Sequence, residues 1–484
     1  MLVTSRHAQL RAAWAIHLHG LEEKDAVELI RHHARRLGLR KIEDEDASNL
    51  LPLARVADGN PKVIEMAMGH IKRSLGLVEV IDNLHIASRT VADIFDYLFR
   101  WAWDTLTEDA RHISLVMPFF VDSVSKPALS AASGLRGYRF DTSLEQLVEM
   151  SLVDLNEELE EARHRYSVHP LTRAFAEAKL RELPKWEKDA RERWVNYYIS
   201  FANRYGIKDW DDPAPFQMLD SEWLNILGVF EWLYHVQDLE RSIQLIEKMW
   251  WFMHIYGYWD QRIALSSRIL ELAGQQSDEL PIGWLKNEIG WTLVLRDQFE
   301  DAQYYLDHAL EIAQRRNVFS LLDEVYSTIT LLAQRRHDIK LFQTIVPLWE
   351  ELIPIARNEP RERMRREVEI LYRKATFAYD NRDFEKAGTL FENMVQLARK
   401  ARWERAVAYG LNYLGELAIY RGSLEEGWSF LEEGWRIIVR WQDKRRIAYF
   451  ERSFALLEEA KGNDAQAFEH ASLIARSLSP LGNG

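Results

Sequence analysis

Apolar residues recur along most of this chain at the three-and-four spacing of amphipathic helices. In "LEEKDAVELIRHHARRLG" Leu21, Ala26, Leu29, Ile30 and Ala34 share one face, and the pattern stops at Gly38, a suitable helix C-cap. The segment "DASNLLPLARVADGNPKVIEMAMGHIKR" predicts two helices broken at Asp58-Gly59-Asn60. Asn60 is a good N-cap, and Pro61 suits the first helical turn, where its missing N–H costs nothing. Val63, Ile64, Ala67, Met68 and Ile71 form the stripe that the second helix buries. Residues 16–88 therefore read as a small helical bundle.

Residues 89–183 change the rhythm. Short helices are predicted around 91–103, 107–117 and 126–133, and "SLEQLVEM" makes a fourth. It leads into "SLVDL" (151–155), an acidic turn and "HRYSV" (164–168), two runs that predict a β-hairpin. The helix "HPLTRAFAEAKL" follows directly. Helices followed by a two-stranded hairpin outline a winged helix. Reading DNA with such a unit needs a basic recognition helix. The candidate, "KPALSAASGLR" (126–136), offers only Lys126 and Arg136, so a structural role is expected.

From 184 onward one helix follows another, and an internal repeat emerges. "GYWDQR" (257–262), "DQFEDA" (297–302), "HDIKLF" (337–342), "RDFEKA" (382–387), "GSLEEG" (422–427) and "GNDAQA" (462–467) share one design. Each starts with a polar turn, usually has an apolar residue two positions on, and often ends on a small residue. Their spacing is 40, with a single interval of 45. A period of about 40 predicts stacked helical hairpins. Ala302, Ala387, Gly427 and Ala467 would let paired helices approach closely, with Gly290 and Gly415 opposite Ala302 and Gly427. Phe299, Phe384 and Leu424 would plug the turns. The pattern resembles the tetratricopeptide repeat with lengthened helices, over roughly 240–480. It is degenerate where Arg262 and Phe342 replace the small residue and Asp464 the plug. Such arrays present long surfaces for peptides or proteins.

Composition agrees with a mainly α chain of more than one domain: 484 residues, 13 prolines and 22 glycines. No cysteine occurs, which excludes disulfides and thiolate metal sites and makes the cytoplasm the expected location. No apolar stretch reaches the ~20 residues that span a bilayer. The net charge of −13 speaks against nucleic acid as the partner. The basic clusters "RERMRR" (361–366) and "DKRR" (443–446) are expected on solvated faces or paired with nearby acids. The run "KMWWFMHIYGYW" (248–259) reads as core, with some of its aromatics left over to line a groove.

No catalytic or metal-binding set is legible. The chain lacks a nucleophile elbow, an HExxH pattern and any Gly-Lys dipeptide, so no Walker A loop is present. Three features nevertheless stand in a familiar order: "LVTSR" (2–6), "GNPKVIEMA" (59–67) and "RYSVHPLTRAFA" (165–176). They resemble, in turn, the sensor strand, the glycine-x-proline-leucine motif and the winged-helix histidine motif of the STAND signalling NTPases, the NB-ARC branch in particular. Lys62 departs from the pattern, where the family usually has an apolar residue, and so does Pro170.

The resemblance implies a division into 1–15, a remnant of the nucleotide-binding core, 16–88, the bundle, and 89–183, the winged helix. A connector (184–280) and repeats (281–484) complete it. It implies that Arg6 meets a γ-phosphate, Pro61 the adenine and His169 the diphosphate, each only beside a nucleotide-binding core that would lie before Met1. The chain itself would hold no cofactor and have no enzymatic activity, while the intact protein would switch between ADP and ATP. A protein ligand or effector would bind the repeats and the intact protein would form a homo-oligomer, in antiphage defence or in gene control. A transcriptional regulator and a free-standing repeat adaptor remain alternatives.

Overall fold

Helix boundaries fall where the sequence places its caps. Asn60 Oδ1 accepts from the backbone N–H groups of Lys62 and Val63, at 3.0 and 3.3 Å, and Gly38 closes the first helix at φ +71°. The computed structural model describes residues 20–73, 76–87, 91–156, 164–206, 214–276 and 279–478. They divide into two compact units, Met1–Ser200 with Glu222–Val229, and Phe201–Ser221 with Phe230–Gly484.

The first unit begins with the bundle: α1 (Glu23–Arg36), α2 (Arg40–Glu43), α3 (Ala47–Val56), α4 (Pro61–Arg73) and α5 (Leu77–Ala87). Ala26, Ile30, Leu50, Leu53, Val63, Ile64 and Ala67 form its core. The winged helix follows as α6 (Val91–Thr105), α7 (Glu108–Val116), β1 (Ser123–Ser125), α8 (Lys126–Ser133), α9 (Gly137–Glu149), β2 (Asp154–Asn156), β3 (Arg165–Ser167) and α10 (Pro170–Arg181).

The sheet has three strands rather than the expected two, antiparallel in the order β1-β3-β2. Ser123 pairs with Ser167 and Asp154 with Ser167 on its other side. Strand β1 escapes sequence reading because three residues cannot display an alternation. Residues 151–153 form a turn instead of a strand. The extra strand also shifts the recognition-helix position from 126–136 to α9. That helix carries Arg139 against Asp141, Glu145 and Glu149, and Arg139 is itself held by Asp109 at 2.6 Å.

Three further helices come next: α11 (Pro184–Tyr205), α12 (Ala214–Ser221) and α13 (Trp223–His235). A buried polar network ties the first unit's share of them to the sheet. Arg165 donates to Ser123 O at 2.7 Å and to Glu222 Oε1 at 2.5 Å, while Tyr198 donates to Glu222 Oε2 at 2.6 Å.

The second unit carries six hairpins among its described residues. They pair α14 (Leu239–Tyr256) with α15 (Trp259–Gln276), α16 (Glu279–Leu295) with α17 (Phe299–Arg315), and α18 (Phe319–Arg335) with α19 (Ile339–Ala356). The rest are α20 (Pro360–Asp380) with α21 (Phe384–Lys400), α22 (Glu404–Tyr420) with α23 (Leu424–Trp441), and α24 (Lys444–Ala460) with α25 (Asp464–Leu478). All six turn segments read from sequence open on a left-handed residue: Gly257, Asp297, His337, Arg382, Gly422 and Gly462. The small residues act as expected. A Cβ added at Gly415 would lie 2.7 Å from Leu431, and one at Gly290 would lie 2.9 Å from Leu306.

The exceptions have local reasons. Phe342 is buried and stacks on Phe377 with centroids 3.9 Å apart, filling the space that a second ring leaves. The 45-residue interval falls at α19–α20, where Pro354 lies near the end of one helix and Pro360 starts the next. Here Arg357 is extended, at φ −127°, and no left-handed residue marks the turn. The first helices of the hairpins face inward. The last of them, α24, packs back against α14, so the array closes on itself.

Candidate functional site

Two places in the chain carry candidate chemistry. The first lies in the first unit, where α4 meets the sheet. Arg6 lies outside the described residues. Pro61 opens α4, and His169 caps α10, its Nδ1 accepting from the backbone N–H of Leu171 at 3.3 Å. The His169 ring is stacked with that of Phe95 at 6.5 Å between centroids.

Lys62 links these two segments. Its Nζ donates to Glu65 Oε2 and to Asp154 Oδ1, both at 2.9 Å, and Asp154 pairs across the sheet with Ser167, two residues before His169. Two turns beyond Lys62 along α4, Gly69 presses on the α9–β2 turn, where an added Cβ would come within 2.9 Å of Met150 Cα. The residue that departs from the STAND motif therefore forms an ionic clasp between bundle and winged helix. Burial raises the Glu65 carboxyl, but Lys62 outweighs it, with Arg36 helping, and the net shift is downward. Replacing Lys62 by Met should let Glu65 titrate at higher pH and cost about 1–3 kcal/mol, between exposed and fully buried pairs. Carboxyl titration by NMR and a urea midpoint measure both; an unchanged midpoint would make the clasp ornamental.

The second place is the interior of the repeat array, a cavity of about 820 Å³. Its walls come mainly from α14, α16, α18, α20, α22 and α24, the first helix of every hairpin, with Arg262 of α15, Met394 of α21 and Asn203 of α11 added. One wall is aromatic: Trp250, Trp251 and His254 of α14 with Trp284 and Trp291 of α16. His254 stacks on Trp259 and lies 4.4 Å from Trp291. Burial pushes its imidazole well below the usual value, and Arg262, Arg445 and Arg446 push the same way. Arg262 is 3% exposed, pairs with Glu288 and lies 4.2 Å over the Trp291 ring. The opposite walls bring Arg365, Arg366 and Arg373 of α20, Tyr409 and Tyr413 of α22, and Arg445, Arg446 and Tyr449 of α24.

Sequence reading touched most of these residues without placing them. The basic clusters are not solvated faces. Arg365 and Arg366 are 4% and 9% exposed, and they point into the array because α20 is an inner helix. Pairing with acids does hold for Arg366, which meets Asp323, Glu324 and Glu369. The run 248–259 serves both expected ends: Phe252, Met253 and Tyr256 are core, while Trp250, Trp251 and His254 line the cavity. Arg262, which in sequence only breaks the small-residue pattern, is a functional candidate in the cavity. An arginine at a position that packing reserves for alanine was the available signal. Among the described residues no His, Asp and Glu group could hold a metal, and no helix is long and apolar enough to cross a membrane.

Comparison with known proteins places this architecture. Over 330 residues the chain is 25% identical to the "Transcription activator GutR" of Bacillus subtilis (strain 168), covering 64% of this chain and 39% of that protein. Among solved structures it matches a "Signal Transduction ATPase with Numerous Domains (STAND) protein with a tetratricopeptide repeat sensor" from Pyrococcus horikoshii. The TM-score is 0.55 at 15% identity, over 95% of this chain and 62% of that one. No protein-family model matches the sequence. The chain has the fold of a STAND protein with a tetratricopeptide repeat sensor, its α-solenoid following a bundle and winged helix in sequence. It spans less than two thirds of either relative's length.

Proposed function

We propose that this chain is the sensor and regulatory portion of a STAND signal-transduction NTPase. The observation that carries the reading is the order of parts within one shared fold: bundle, winged helix, then a repeat array closed around a ligand-sized cavity. The repeats bind the ligand, a protein or another molecule. Beside a nucleotide-binding core, Arg6, Pro61 and His169 contact the nucleotide, and ADP holds the closed monomer. Ligand binding favours exchange for ATP and homo-oligomerisation, a shift between two packings driven by differential affinity. The Lys62 clasp is one contact such a switch would have to release.

With no Gly-Lys dipeptide to cradle phosphates, the chain alone does no chemistry on ATP. A phosphate-release assay tests this: no ATP turnover is expected, and hydrolysis of ATP by this chain would overturn it. The kinship with a transcription activator supports a second reading, control of genes in the cytoplasm. The acidic α9 then requires the DNA-reading part to lie elsewhere, and a sequence-specific, salt-sensitive gel shift with this chain would contradict that assignment.

A further inference from the structure

The repeat cavity is strongly cationic in a chain whose net charge is −13. Ten lysine and arginine side chains line it against five glutamates. Most of the arginines have an acid of their own: Arg262 has Glu288, Arg335 has Asp297, Arg357 and Arg366 share Asp323 and Glu324, and Arg405 has Asp443. Arg445 and Arg446 do not, among the described residues. Arg445 donates to the Tyr449 hydroxyl at 3.3 Å, and Arg446 donates to Tyr372 at 3.2 Å and lies 3.7 Å over the Tyr409 ring. Asp443, the nearest acid in sequence, is taken by Arg405 and the Tyr409 hydroxyl; it accepts the Arg446 backbone N–H and reaches the Arg446 guanidinium through its field alone.

Unmet donors gather around them. Arg262 Nε and Nη1, Arg373 Nε and Trp250 Nε1 are buried with no hydrogen-bond partner among the described residues. Buried donors of this kind cost free energy until something supplies acceptors. Arg373 keeps a long ion pair with Glu369 at 3.7 Å, yet burial, with repulsion from Arg446 and Arg445 added, outweighs Glu369 and lowers its pKa. Two adjacent guanidiniums without a carboxylate suit a doubly charged anion, because each planar fork can grip two oxygens. The ring closure of the array limits the occupant's size. A volume of about 820 Å³ falls in the range of small-molecule pockets, roughly 300–1,000 Å³.

We propose that the ligand of the repeats is a small organic phosphate, its phosphate held by Arg445, Arg446 and Arg373 and its organic body against Arg262 and the indoles of Trp251 and Trp291. The assignment rests on the sensor reading above, but it is measured on this chain alone. Pyrophosphate serves as the probe, against chloride at equal ionic strength. Thermal unfolding of the full chain should shift upward by several degrees, since a ligand that binds only the folded state stabilises it. The shift should vanish in Arg445→Gln and in Arg446→Gln. Tyr449 gives a second readout. Burial raises its phenol, but Arg445 and Arg446 outweigh this and bring it to about 8. An anion between those arginines should move the titration at 295 nm that disappears in Tyr449→Phe upward by about one unit.

Equal stabilisation of wild type and both variants, or no pyrophosphate effect on either readout, would overturn the assignment, as would a protein partner that occupies the array while pyrophosphate does nothing. Pyrophosphate binding here that leaves nucleotide exchange in the intact protein unchanged would sink the sensor reading and leave the site standing.

Discussion

Asp323→Ala should destabilise the repeat array by about 3–5 kcal/mol, the cost of stripping the partner from buried charges. Asp323 on α18 is fully buried. Its Oδ1 accepts from Trp349 Nε1 of α19 at 2.6 Å, and its Oδ2 accepts from Arg357 Nε at 2.6 Å and faces Arg366 Nε of α20 at 3.2 Å. One carboxylate thus joins three successive helices where the repeat interval stretches to 45 residues and two prolines interrupt the helical run. Alanine would leave two guanidiniums and an indole N–H sharing the neighbouring Glu324, which already takes Arg357 and Arg366. Asp323→Asn keeps an acceptor and should cost less, while Trp349→Phe removes one hydrogen bond, about 1 kcal/mol. Urea midpoints order the three variants, and hydrogen exchange should localise the loss to α18–α20. A midpoint for Asp323→Ala within 1 kcal/mol of wild type would show that Glu324 carries the corner alone.

Acid should loosen the bundle before carboxylates begin to protonate. Burial lowers His70 to about 3 and His33 to about 4, so both are neutral when folded and take up protons readily when unfolded. A depressed histidine pKa stabilises above the unfolded value near 6.5, and that stability drains away as pH falls toward the folded value. By pH 5 each of the two should have cost about 2 kcal/mol. His70 is 2% exposed and lies 3.7 Å from the Trp101 ring, with a backbone hydrogen bond to Leu98 that only partly offsets burial. For His33, Glu65 works against burial, while Arg36, His32 and Lys62 reinforce it. His70→Phe keeps a ring against Trp101 and removes the proton site. Between pH 6.5 and 5 its stability should depend less steeply on pH, by up to about 1.4 kcal/mol per unit. Urea titrations at several pH values read that slope directly, and an identical slope in wild type and variant would exclude His70 as the sensitive group.

The bundle and repeats were legible because their signals are local. Asn60-Pro61 announces a helix start within two residues, and each six-residue turn segment repeats its own design. Strand β1 was not legible, because its partner Arg165–Ser167 lies some 40 residues away and supplies the only reason for Ser123–Ser125 to extend. The candidate cavity was half visible. The aromatic run and both basic clusters stand out in the sequence, yet nothing in their helical spacing says whether an arginine faces water or the inside of a ring. Lys62 stands out as a departure from the motif, and its partner Asp154, 92 positions away, supplies a reason that the local sequence does not.

The sequence by itself determined the helical hairpins, their period, their turns and the small residues that let them pack, since each depends on residues within one repeat. The tertiary structure decided the cavity. Curvature accumulates from small rotations between neighbouring hairpins, and no single repeat encodes where the sum closes. Here it closes with α24 on α14, setting Arg445 5.9 Å from the Trp259 ring although 186 positions separate them. That closure turns two surface-looking basic clusters into the lining of one cationic chamber.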